Sequence, residues 1–421
     1  MSIDEPGSTV LIIGFAESFL RAVSSHIPAA SVVVIEEPDI IRKRGLAAAA
    51  TRIACVDRVV PGEYQQSDAC LAIGQAIAGE RPVTAVMPGT EYAVPAAAAL
   101  AEVLHLPGAG RDAAEILRDK LRLRAISASA GVRNPEFREV NGPAEIAAFA
   151  AGRPIVVKPS NRQASVGVLR LERAGLAEAT EAWKAMAAPA ESAHLTDRSL
   201  TSRYLAELWL SGREYSVETL VQDGAVLFDN VTEKDVIPGV HPVEAGHLVP
   251  ASAGRETVEM LGAATRRLID VVGFRTGILH AEWLVDDDGP ALVECAGRCP
   301  GDRIMDLMEL AYGTNMRLAV LKLLGGGTPK VPDRPTGHAM IRYLRPEPGV
   351  VTAVSGLVEA RRVAGVRQVD VSVEVGDTVV PWRSSYDRPA SVLAVLPEAR
   401  LVRSAAEQAA RTVRIETRPL P

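Results

Sequence analysis

The stretch GILHAEWLVDDDGPALVECAG, residues 277–297, decides the fold because it places two glutamates within an otherwise apolar pair of strands. The polar run Asp286–Gly289 separates two apolar segments that are typical of a β-hairpin. A three-residue loop over residues 287–289 sets the register, and side chains two residues apart then share a face of the hairpin. The predicted cross-strand pairs are Asp286 with Pro290, Leu284 with Leu292 and Glu282 with Glu294.

Two carboxylates that oppose each other on an apolar surface repel, and burying either charge is unfavourable without compensation. A divalent cation between Glu282 and Glu294 removes the repulsion, because Mg²⁺ prefers hard oxygen ligands. Three other interpretations remain open: one acid is protonated, the register is slipped, or a glutamate pairs with Arg298, which follows just past the second strand. The hairpin alone does not choose among them.

Length and composition bound the class of protein. A chain of 421 residues, 48% of them hydrophobic, is expected to form two to four domains. A net charge of −6 argues against a nucleic-acid partner. The cysteines lack zinc spacing, which favours packing roles. We expect a cytoplasmic protein without a membrane partner, because the run MSIDEPGS, residues 1–8, does not resemble a signal peptide and no apolar run reaches about 18 residues.

Strand and helix patterns divide the chain into five segments. STVLIIGF, ASVVVIEEP and TAVMPG read as buried strands, with a helix around 93–104, which indicates a parallel α/β domain. Its first turn, GFAESF, lacks the GxGxxG pattern of dinucleotide-binding domains. The predicted segments are an α/β domain over 1–108, a helical linker over 109–149 with one helix from Arg111 to Ala130, a β-rich segment over 150–205, a further segment over 206–326, and an accessory β-rich domain over 327–421.

Two lysines stand where phosphate groups are commonly bound. Lys158 ends the apolar strand of RPIVVKPSNRQASVGVLRL, residues 153–171, and the polar loop over 160–167 follows it. Backbone N–H groups in such a loop bind phosphate, with a lysine as a point charge. Lys120 lies upstream on the predicted helix. A surface lysine is the alternative for Lys158 taken alone.

The run ELWLSGREYSVE, residues 207–218, combines an apolar stretch with flanking glutamates. An apolar hinge with free backbone donors and acceptors suits an adenine ring, and a nearby carboxylate such as Glu214 suits ribose hydroxyls. The order along the chain is therefore two lysines, an apolar hinge, a glutamate pair and an arginine.

This order resembles the ATP-grasp superfamily over essentially the whole chain, and most closely the carboxylate–amine ligases of the bacterial L-amino acid ligase type. AELWLSGREYSVETL, residues 206–220, is similar to the hinge of D-alanine–D-alanine ligases, and the tail after Gly327 resembles the C-terminal domain of amino acid ligases. The resemblance implies a multidomain fold of mixed α/β and α+β class: an N-terminal parallel α/β domain, a mobile lid over 150–205, an ATP-grasp core and an accessory domain.

The resemblance also assigns residues to the nucleotide and the metal. ATP and Mg²⁺, with Mn²⁺ as the alternative metal, are the implied cofactors. In this assignment Lys120 and Lys158 hold the phosphates under a loop containing Ser165 and Gly167, Glu207 and Leu210 meet adenine through their main chains, Glu214 holds the ribose, and Glu282 and Glu294 carry the metal.

The substrates are assigned in the same way. In VHPVEAGHLVPA, residues 240–251, Glu244 is implied to bind an ammonium group and His247 a carboxylate; a polar loop with a capping histidine is the alternative. Glu91 either holds a substrate amino group or simply begins a helix. Arg298 is implied to face the acyl-phosphate, with Lys158 and His247 as catalytic partners. Gly301 and Asp302 are implied to contact the substrate. A carboxylate at Asp302 then favours a polar or cationic substrate group.

The expected function is ATP-dependent joining of a carboxylate to an amine through an acyl-phosphate, with release of ADP and phosphate. The partners are then small molecules, amino acids in particular, and a homodimer is left open. Two alternatives stand beside this expectation: a carboxylase that uses bicarbonate, and a non-catalytic ATP-binding regulatory protein. The second is motivated by Ala296, which stands where the superfamily commonly carries a metal-binding Asn.

Overall fold

The computed structural model describes residues 3, 5, 7–188 and 193–419, which form four β-sheets and the helices packed on them. Residues 189–192 of the predicted lid lie outside the described residues. So do residues 1, 2, 4 and 6, which belong to the run that was compared with signal peptides. No helix in the described part of the chain is long and apolar enough to cross a membrane.

The first sheet is parallel and contains the three strands that the sequence predicts, so this part of the predicted fold class is confirmed. Its strand order is β3-β2-β1-β4, and the edge strand β3 was not predicted. All five residues of β1 and all five residues of β2 are buried, and all but Thr9 and Glu36 are apolar. The elements are β1 (Thr9–Ile13), α1 (Glu17–Val23), β2 (Val32–Glu36), α2 (Pro38–Lys43), α3 (Leu46–Ala50), β3 (Val56–Pro61), α4 (Ala69–Glu80), β4 (Val83–Pro88) and α5 (Val94–Val103).

The predicted single helix from Arg111 to Ala130 is wrong, because the chain breaks at Asp119. Helix α6 spans Arg111–Arg118 and α7 spans Lys120–Ser129, while Asp119 has extended dihedral angles of φ −116° and ψ 106°. Its side chain caps α7 by accepting a hydrogen bond from the Leu121 amide at 2.9 Å. The Lys120 amide donates to the Ser160 carbonyl at 3.1 Å instead of to a helical carbonyl. The break therefore directs Lys120 toward the loop after Lys158.

The second sheet is a small antiparallel sheet with order β5-β8-β6-β7. Side chains alternate along β6, so Ile155 and Val157 pack against the two helices of this unit. Val156 and Lys158 then point to the opposite face. The elements are β5 (Phe137–Glu139), α8 (Pro143–Ala150), β6 (Ile155–Pro159), β7 (Leu169–Leu171), α9 (Leu176–Ala187) and β8 (Tyr204–Leu208).

The third sheet has eight antiparallel strands, in the order β13-β12-β9-β10-β11-β14-β18-β16, and the fourth has three, in the order β17-β15-β19. The predicted strands of the accessory segment are present in both sheets. The elements are β9 (Arg213–Gln222), β10 (Ala225–Val236), β11 (Glu244–Val249), α10 (Arg255–Val272), β12 (Gly277–Asp286), β13 (Gly289–Ala296), α11 (Ile304–Tyr312), α12 (Met316–Leu324), β14 (His338–Leu344), β15 (Gly349–Ser355), α13 (Leu357–Arg361), β16 (Val366–Val371), β17 (Thr378–Val379), β18 (Ala390–Leu396), α14 (Ala399–Thr412) and β19 (Arg414–Arg418).

The two faces of the eight-stranded sheet differ in chemistry. On one face Val217 and Trp283 pack in an apolar cluster with α10, α6 and α7. Because successive side chains alternate, Glu218 and Glu282 lie on the opposite face. On that face the end away from the glutamates, at Leu220 and Ile278, packs into the largest apolar cluster with α11 and α12. The polar end of the face is left for the site.

The hairpin pairs Glu282 with Glu294, as predicted, but through a different turn. Asp286 pairs with Gly289, and Leu284 pairs with Ala291, so the three-residue loop was wrong. The two-residue turn shifts every pair by one position, and a bulge restores the register before Glu294. The extra residue is Val293, whose carbonyl accepts a hydrogen bond from Arg124 at 2.6 Å.

The accessory segment continues the eight-stranded sheet. Strand β14 pairs with β11, which sets His247 opposite Ile341 and Leu248 opposite Met340. The sheet therefore crosses the predicted boundary at 326/327. The four boundaries between the five predicted segments remain predictions.

Candidate functional site

A cleft lies between the antiparallel four-stranded sheet and the polar face of the eight-stranded sheet, and its volume is about 930 Å³, including space that is open to solvent. Residues from β6, the following loop, β8, β9 and the glutamate hairpin converge on it. The predicted site residues that line it are Lys120, Lys158, Ser165, Glu207, Leu210, Glu214, Glu244, Glu282 and Glu294.

Lys158 is held by a buried ion pair. Its Nζ lies 2.6 Å from Glu207 Oε2, and Arg124 Nε lies 2.6 Å from the other carboxylate oxygen. Burial raises the pKa of Glu207, but Arg124 and Lys158 outweigh it and lower that pKa to about 2. The Glu207 backbone sits in β8, between Phe137 of β5 and Val156 of β6. Glu207 therefore positions a lysine with its side chain, a role the sequence did not indicate.

Arg124 is a site residue that the sequence analysis missed. Its side chain is fully buried in α7 and links Glu207 to the bulged Val293 carbonyl. A buried arginine of this kind carries two charge-assisted hydrogen bonds at fixed angles. The only signal in the sequence was an arginine on the apolar side of the run KLRLRAIS, residues 120–127.

Lys120 connects the glutamate hairpin to the loop after Lys158. Its Nζ lies 2.8 Å from Glu294 Oε1 and donates to the Arg162 carbonyl at 2.8 Å. The predicted alternative of an Arg298–Glu294 pair is not what the structure shows, since Lys120 fills that role. The cation that compensates Glu294 therefore comes from α7.

The loop over 160–167 is tightly folded, and it contains Ser165 and Gly167, which were predicted to cover the phosphates. Ser165 has a φ of +58° and Gly167 a φ of +73°, both in the left-handed region. A Cβ at Gly167 would approach Pro159 Cγ to 3.0 Å, so glycine is required there for space as well as for conformation. Ser165 lines the cleft, whereas Gly167 does not line it and only shapes the loop.

Lys234 of β10 is the second missed residue and lies at the centre of the acidic group. Its side chain is 1% exposed, and its Nζ lies 2.8 Å from Glu214, 3.0 Å from Glu282 and 3.3 Å from Glu244. Burial raises the pKa of Glu282, but Lys234 and His280 hold it well below the usual range. Glu282 is thus an ionised, partly buried carboxylate that faces the cleft.

A hydrogen-bond network behind Glu282 fixes its orientation. His280 Nε2 lies 3.2 Å from Glu282 Oε1, and His280 Nδ1 lies 3.0 Å from Glu218. Glu218 in turn accepts hydrogen bonds from Ser216 at 2.7 Å and Thr232 at 2.6 Å. Burial lowers the pKa of His280, but Glu218 and Glu282 outweigh it and raise that pKa to about 9.

The hairpin offers a cation two carboxylates. Glu282 and Glu294 are cross-strand partners, and Ala296 pairs with His280 two pairs further along the ladder. Within the described residues, no group of three or more His, Cys, Asp or Glu side chains is arranged to hold a metal. A metal here therefore needs oxygen ligands from a bound molecule as well.

Glu91 and Arg298 meet at the edge of the parallel sheet. Arg298 Nε lies 2.5 Å from Glu91 Oε2, and Arg118 lies 3.9 Å from the other oxygen. Burial raises the pKa of Glu91, but Arg298 and Arg118 outweigh it and lower that pKa. Glu91 also begins a short 3-10 turn over 91–93, which agrees with one of its two predicted roles, while its binding of a substrate amino group stays a prediction.

His247 and Asp302 form a second cluster, together with a residue that the sequence did not indicate. His247 Nε2 lies 3.2 Å from Asp302 Oδ2, while Arg388 donates to both oxygens of Asp302. Asp302 has a φ of +53° and follows Gly301, whose carbonyl accepts from the Ile304 amide at the start of α11. Burial raises the pKa of Asp302, but His247 and Arg388 hold it far below the usual range.

Two family matches agree with this architecture. Residues 151–306 match the ATP-grasp domain family, and residues 342–418 match the L-amino acid ligase C-terminal domain 2 family. The first range contains Lys158, the hinge and the glutamate hairpin, and the second contains Arg388. Residues 151–306 therefore carry an ATP-grasp domain.

Known proteins add a more specific likeness. Alanine–anticapsin ligase of Bacillus subtilis is 26% identical over 277 residues, which cover 62% of this chain and 57% of that protein. The structure of an L-amino acid ligase from Bacillus licheniformis superimposes with a TM-score of 0.77 at 20% identity, covering 98% of both chains. The biotin carboxylase domain of 2-oxoglutarate carboxylase from Hydrogenobacter thermophilus, solved with MgADP, ADP and bicarbonate, gives 0.67 at 15% identity over 97% of this chain and 90% of that one.

These likenesses confirm the ATP-grasp fold and the resemblance to amino acid ligases. The chain carries an ATP-grasp domain followed by an L-amino acid ligase C-terminal domain 2. It spans less than two thirds of the length of alanine–anticapsin ligase.

Proposed function

We propose that this protein is an ATP-dependent carboxylate–amine ligase that joins an amino acid to a second small molecule through an amide bond. One observation carries the proposal: the buried Lys120 and Lys158 line one cleft with the facing glutamates of the hairpin, and a third buried lysine, Lys234, pairs with Glu282 beside it. Arg298 follows four residues after the second glutamate. Such a set suits a polyphosphate with a divalent cation at its end. The ligase relatives support amide formation as the reaction.

Lys120, Lys158 and Lys234 provide the positive charge for the phosphates of ATP. Each is now paired with a carboxylate at 2.6 to 3.0 Å, so each is pre-oriented and its charge is balanced. The apolar residues after β8, up to Leu210, form the wall for the adenine ring, and Glu214 is placed for the ribose. In this proposal Lys234 exchanges part of its contact with the glutamates for phosphate.

The glutamate hairpin fits Mg²⁺, with Mn²⁺ as the alternative. Glu282 and Glu294 would hold the ion, and phosphate oxygens and water would complete its coordination, as Mg²⁺ usually requires. When bound, the ion offsets the repulsion between an attacking carboxylate and the γ-phosphate. The network from Glu218 through His280 keeps Glu282 in its ligating orientation.

The reaction has two steps. A substrate carboxylate oxygen attacks the γ-phosphorus, the bond to the β–γ bridging oxygen breaks, and ADP leaves. The amine then attacks the acyl-phosphate carbon and displaces phosphate. Arg298, beside Glu91, stabilises the negative charge of the intermediate, and Lys158 stabilises the transferred phosphoryl group.

The substrates are proposed to lie between the carboxylates around Lys234 and the cluster of His247 and Asp302. Glu244 lines the cleft. In this proposal Glu244 holds an ammonium group, with Glu91 as a second such site, and His247 binds a carboxylate. Residues 150–205 would act as the lid that excludes water from the acyl-phosphate. The cytoplasm is the proposed location, and a homodimer is left to a direct measurement of mass in solution.

Ala296 supports a second candidate, an ATP-binding regulatory protein without turnover. Its methyl group supplies no oxygen where a third protein ligand is common, which reduces the hold on a second metal. This candidate predicts nucleotide binding with no product under any combination of substrates.

The test follows ADP, AMP and phosphate together while amino acid pairs are screened and each substrate is omitted in turn. A ligase gives ADP, phosphate and an amide in equal amounts, with at most slow ADP release from the acid alone. AMP as the main nucleotide product contradicts the mechanism. ADP release without amide favours the bicarbonate-using alternative, and binding without release favours the regulatory one.

A further inference from the structure

A turn of the accessory segment borders the cleft. The Ser385 amide donates to the Ala164 carbonyl at 3.2 Å, in the loop after Lys158. The Ser385 hydroxyl lies 3.3 Å from Glu244 Oε2, on the other side of the opening. The turn over 385–387 therefore spans the gap between the loop over 160–167 and β11. It also brings Arg388 to the border of the site.

Arg388 is clamped on Asp302. One guanidinium nitrogen lies 2.9 Å from Asp302 Oδ2, and the other contacts Oδ1. The guanidinium stacks on the Tyr343 ring at 3.8 Å from its centre, and the Tyr343 hydroxyl donates to the Asp302 carbonyl at 3.0 Å. A planar guanidinium suits this bidentate and stacked arrangement far better than an ammonium group.

The Arg388–Asp302 pair balances the charge of Asp302, next to the turn over 385–387 that borders the cleft. The Asp302 side chain is 20% exposed and that of Arg388 is 7% exposed, so the carboxylate is what remains accessible. Its charge is balanced by Arg388 within contact distance. A cationic substrate group that approaches Asp302 finds both oxygens already bonded and a second cation beside them.

We infer that Arg388 is a specificity-determining residue, which neutralises Asp302 so that the enzyme selects amino acids with uncharged side chains. The inference rests on the proposed function and departs from the cationic part of the expectation that Asp302 favours a polar or cationic substrate group. That expectation assumed a free carboxylate. Without Arg388, Asp302 becomes an uncompensated carboxylate, which a cationic side chain can pair with.

The experiment measures kcat/KM for L-lysine and L-ornithine relative to L-methionine, as acid and as amine substrate, in wild type and in Arg388→Met. Methionine at 388 keeps most of the stem volume and removes the charge. We expect the cationic-to-neutral ratio to rise on the order of tenfold or more in this variant. The double variant Asp302→Asn/Arg388→Met is expected to lose the gain.

Two controls separate charge from structure. Arg403→Met removes another arginine of the accessory segment, one that pairs with Glu233 and Asp235, and it should leave the ratio unchanged. Arg388→Lys keeps the charge and should keep the preference for neutral side chains. An equal rise in the ratio with Arg388→Lys would overturn the inference, as would an unchanged ratio in an active Arg388→Met enzyme.

A binding measurement covers the remaining outcomes. L-Lysine should raise the thermal midpoint of Arg388→Met, or of Arg388→Gln where the first variant does not fold, but not that of wild type. Absence of this difference overturns the inference even where no turnover is found. Absence of product from wild type with every pair contradicts the proposed function instead.

Discussion

At the scale of single residues, the acidic group around Lys234 carries more negative than positive charge. Lys234 contacts Glu214, Glu244 and Glu282, and one ammonium group balances one of the three carboxylates. Charges of this kind are unfavourable when buried unless another cation arrives. The excess is therefore a local reason for this face of the sheet to bind a cation together with its nucleotide.

Glu294→Gln should abolish turnover while leaving the fold intact. The change keeps the volume of the side chain but removes one of the two carboxylates on the hairpin. Rates of ADP release with Mg²⁺ and circular dichroism of the same sample are the measurements. Lys120 also loses its partner, so a modest loss of thermal stability is expected.

Two further variants sharpen this prediction. Glu259→Gln, on the exposed side of α10, is the matched control and should be silent. Ala296→Asn should be tolerated because it adds an oxygen ligand beside the pair. A folded Glu294→Gln enzyme with a near-normal rate would refute the metal assignment.

Arg298→Lys should lower turnover by about 100-fold or more, by analogy with the loss of an oxyanion donor. Lysine keeps the charge but cannot reach Glu91 and the intermediate with a planar fork. ATP affinity, measured by calorimetry, should change much less, since Arg298 does not line the cleft that holds the lysines. Equal losses of affinity and rate would place Arg298 in the nucleotide site instead.

Residues were predictable where their partners are close in the sequence. Glu282 and Glu294 are twelve positions apart, and the period of two along strands put them on one face. Lys234 lies in VTEKDVI, residues 231–237, where alternating charges are typical of an exposed strand. Its burial depends on three strands packing around it, and that of Arg388 depends on a contact with Asp302, 86 positions away. Neither leaves a local signal.

At the scale of elements, the break between α6 and α7 sets the position of Lys120. Asp119 caps α7, accepts a hydrogen bond from Ser160 and pairs with Arg203 at 2.7 Å. Asp119→Ala should lower the free energy of unfolding by about 1–2 kcal/mol, the usual cost of a lost cap. It should also weaken ATP binding, because the break no longer directs Lys120 toward the cleft.

Denaturant unfolding and nucleotide titration measure the two effects of Asp119→Ala. Asp112→Ala, in the first turn of α6, is the control, because that side chain is exposed. Stability loss without any change in ATP affinity would show that the break is a folding feature only.

The sequence predicted most strands and helices of the fold but not its irregular points. Strand β3 escaped prediction because the polar pair Asp57–Arg58 interrupts its apolar pattern at the sheet edge. The helix break at Asp119 depends on the Ser160 carbonyl, which belongs to the loop that follows β6. Competition between a helical carbonyl and a distant one is not visible in local periodicity.

At the scale of the whole molecule, the accessory segment is part of the main sheet. Strands β14, β18 and β16 extend it beyond β11, and the buried Met340 and Ile341 lie on its two faces. A chain truncated after residue 326 should therefore be insoluble or form aggregates, because β11 becomes an unprotected edge beside exposed core. Expression, gel filtration and dye binding to exposed apolar surface measure this.

Truncation after residue 412 is the comparison, since it removes β19 and leaves the eight-stranded sheet complete. It should disturb the three-stranded sheet alone and keep most ATP binding. A soluble, nucleotide-binding fragment of residues 1–326 would contradict the view that the sheet is one folding unit.

The bulge at Val293 has a consequence for how this hairpin changes in evolution. The two-residue turn and the extra residue in β13 offset each other, so Glu282 faces Glu294 only while both are present. If Val293 joined a regular ladder while the two-residue turn was kept, Glu282 would pair with Val293, and Glu294 would lie on the opposite face of the sheet. Loss of the bulge must therefore be compensated, either by deletion of the extra residue or by a turn that is longer by one residue. Relatives that keep the same number of residues between the two glutamates but have the longer turn are expected to have a regular strand in place of the bulge.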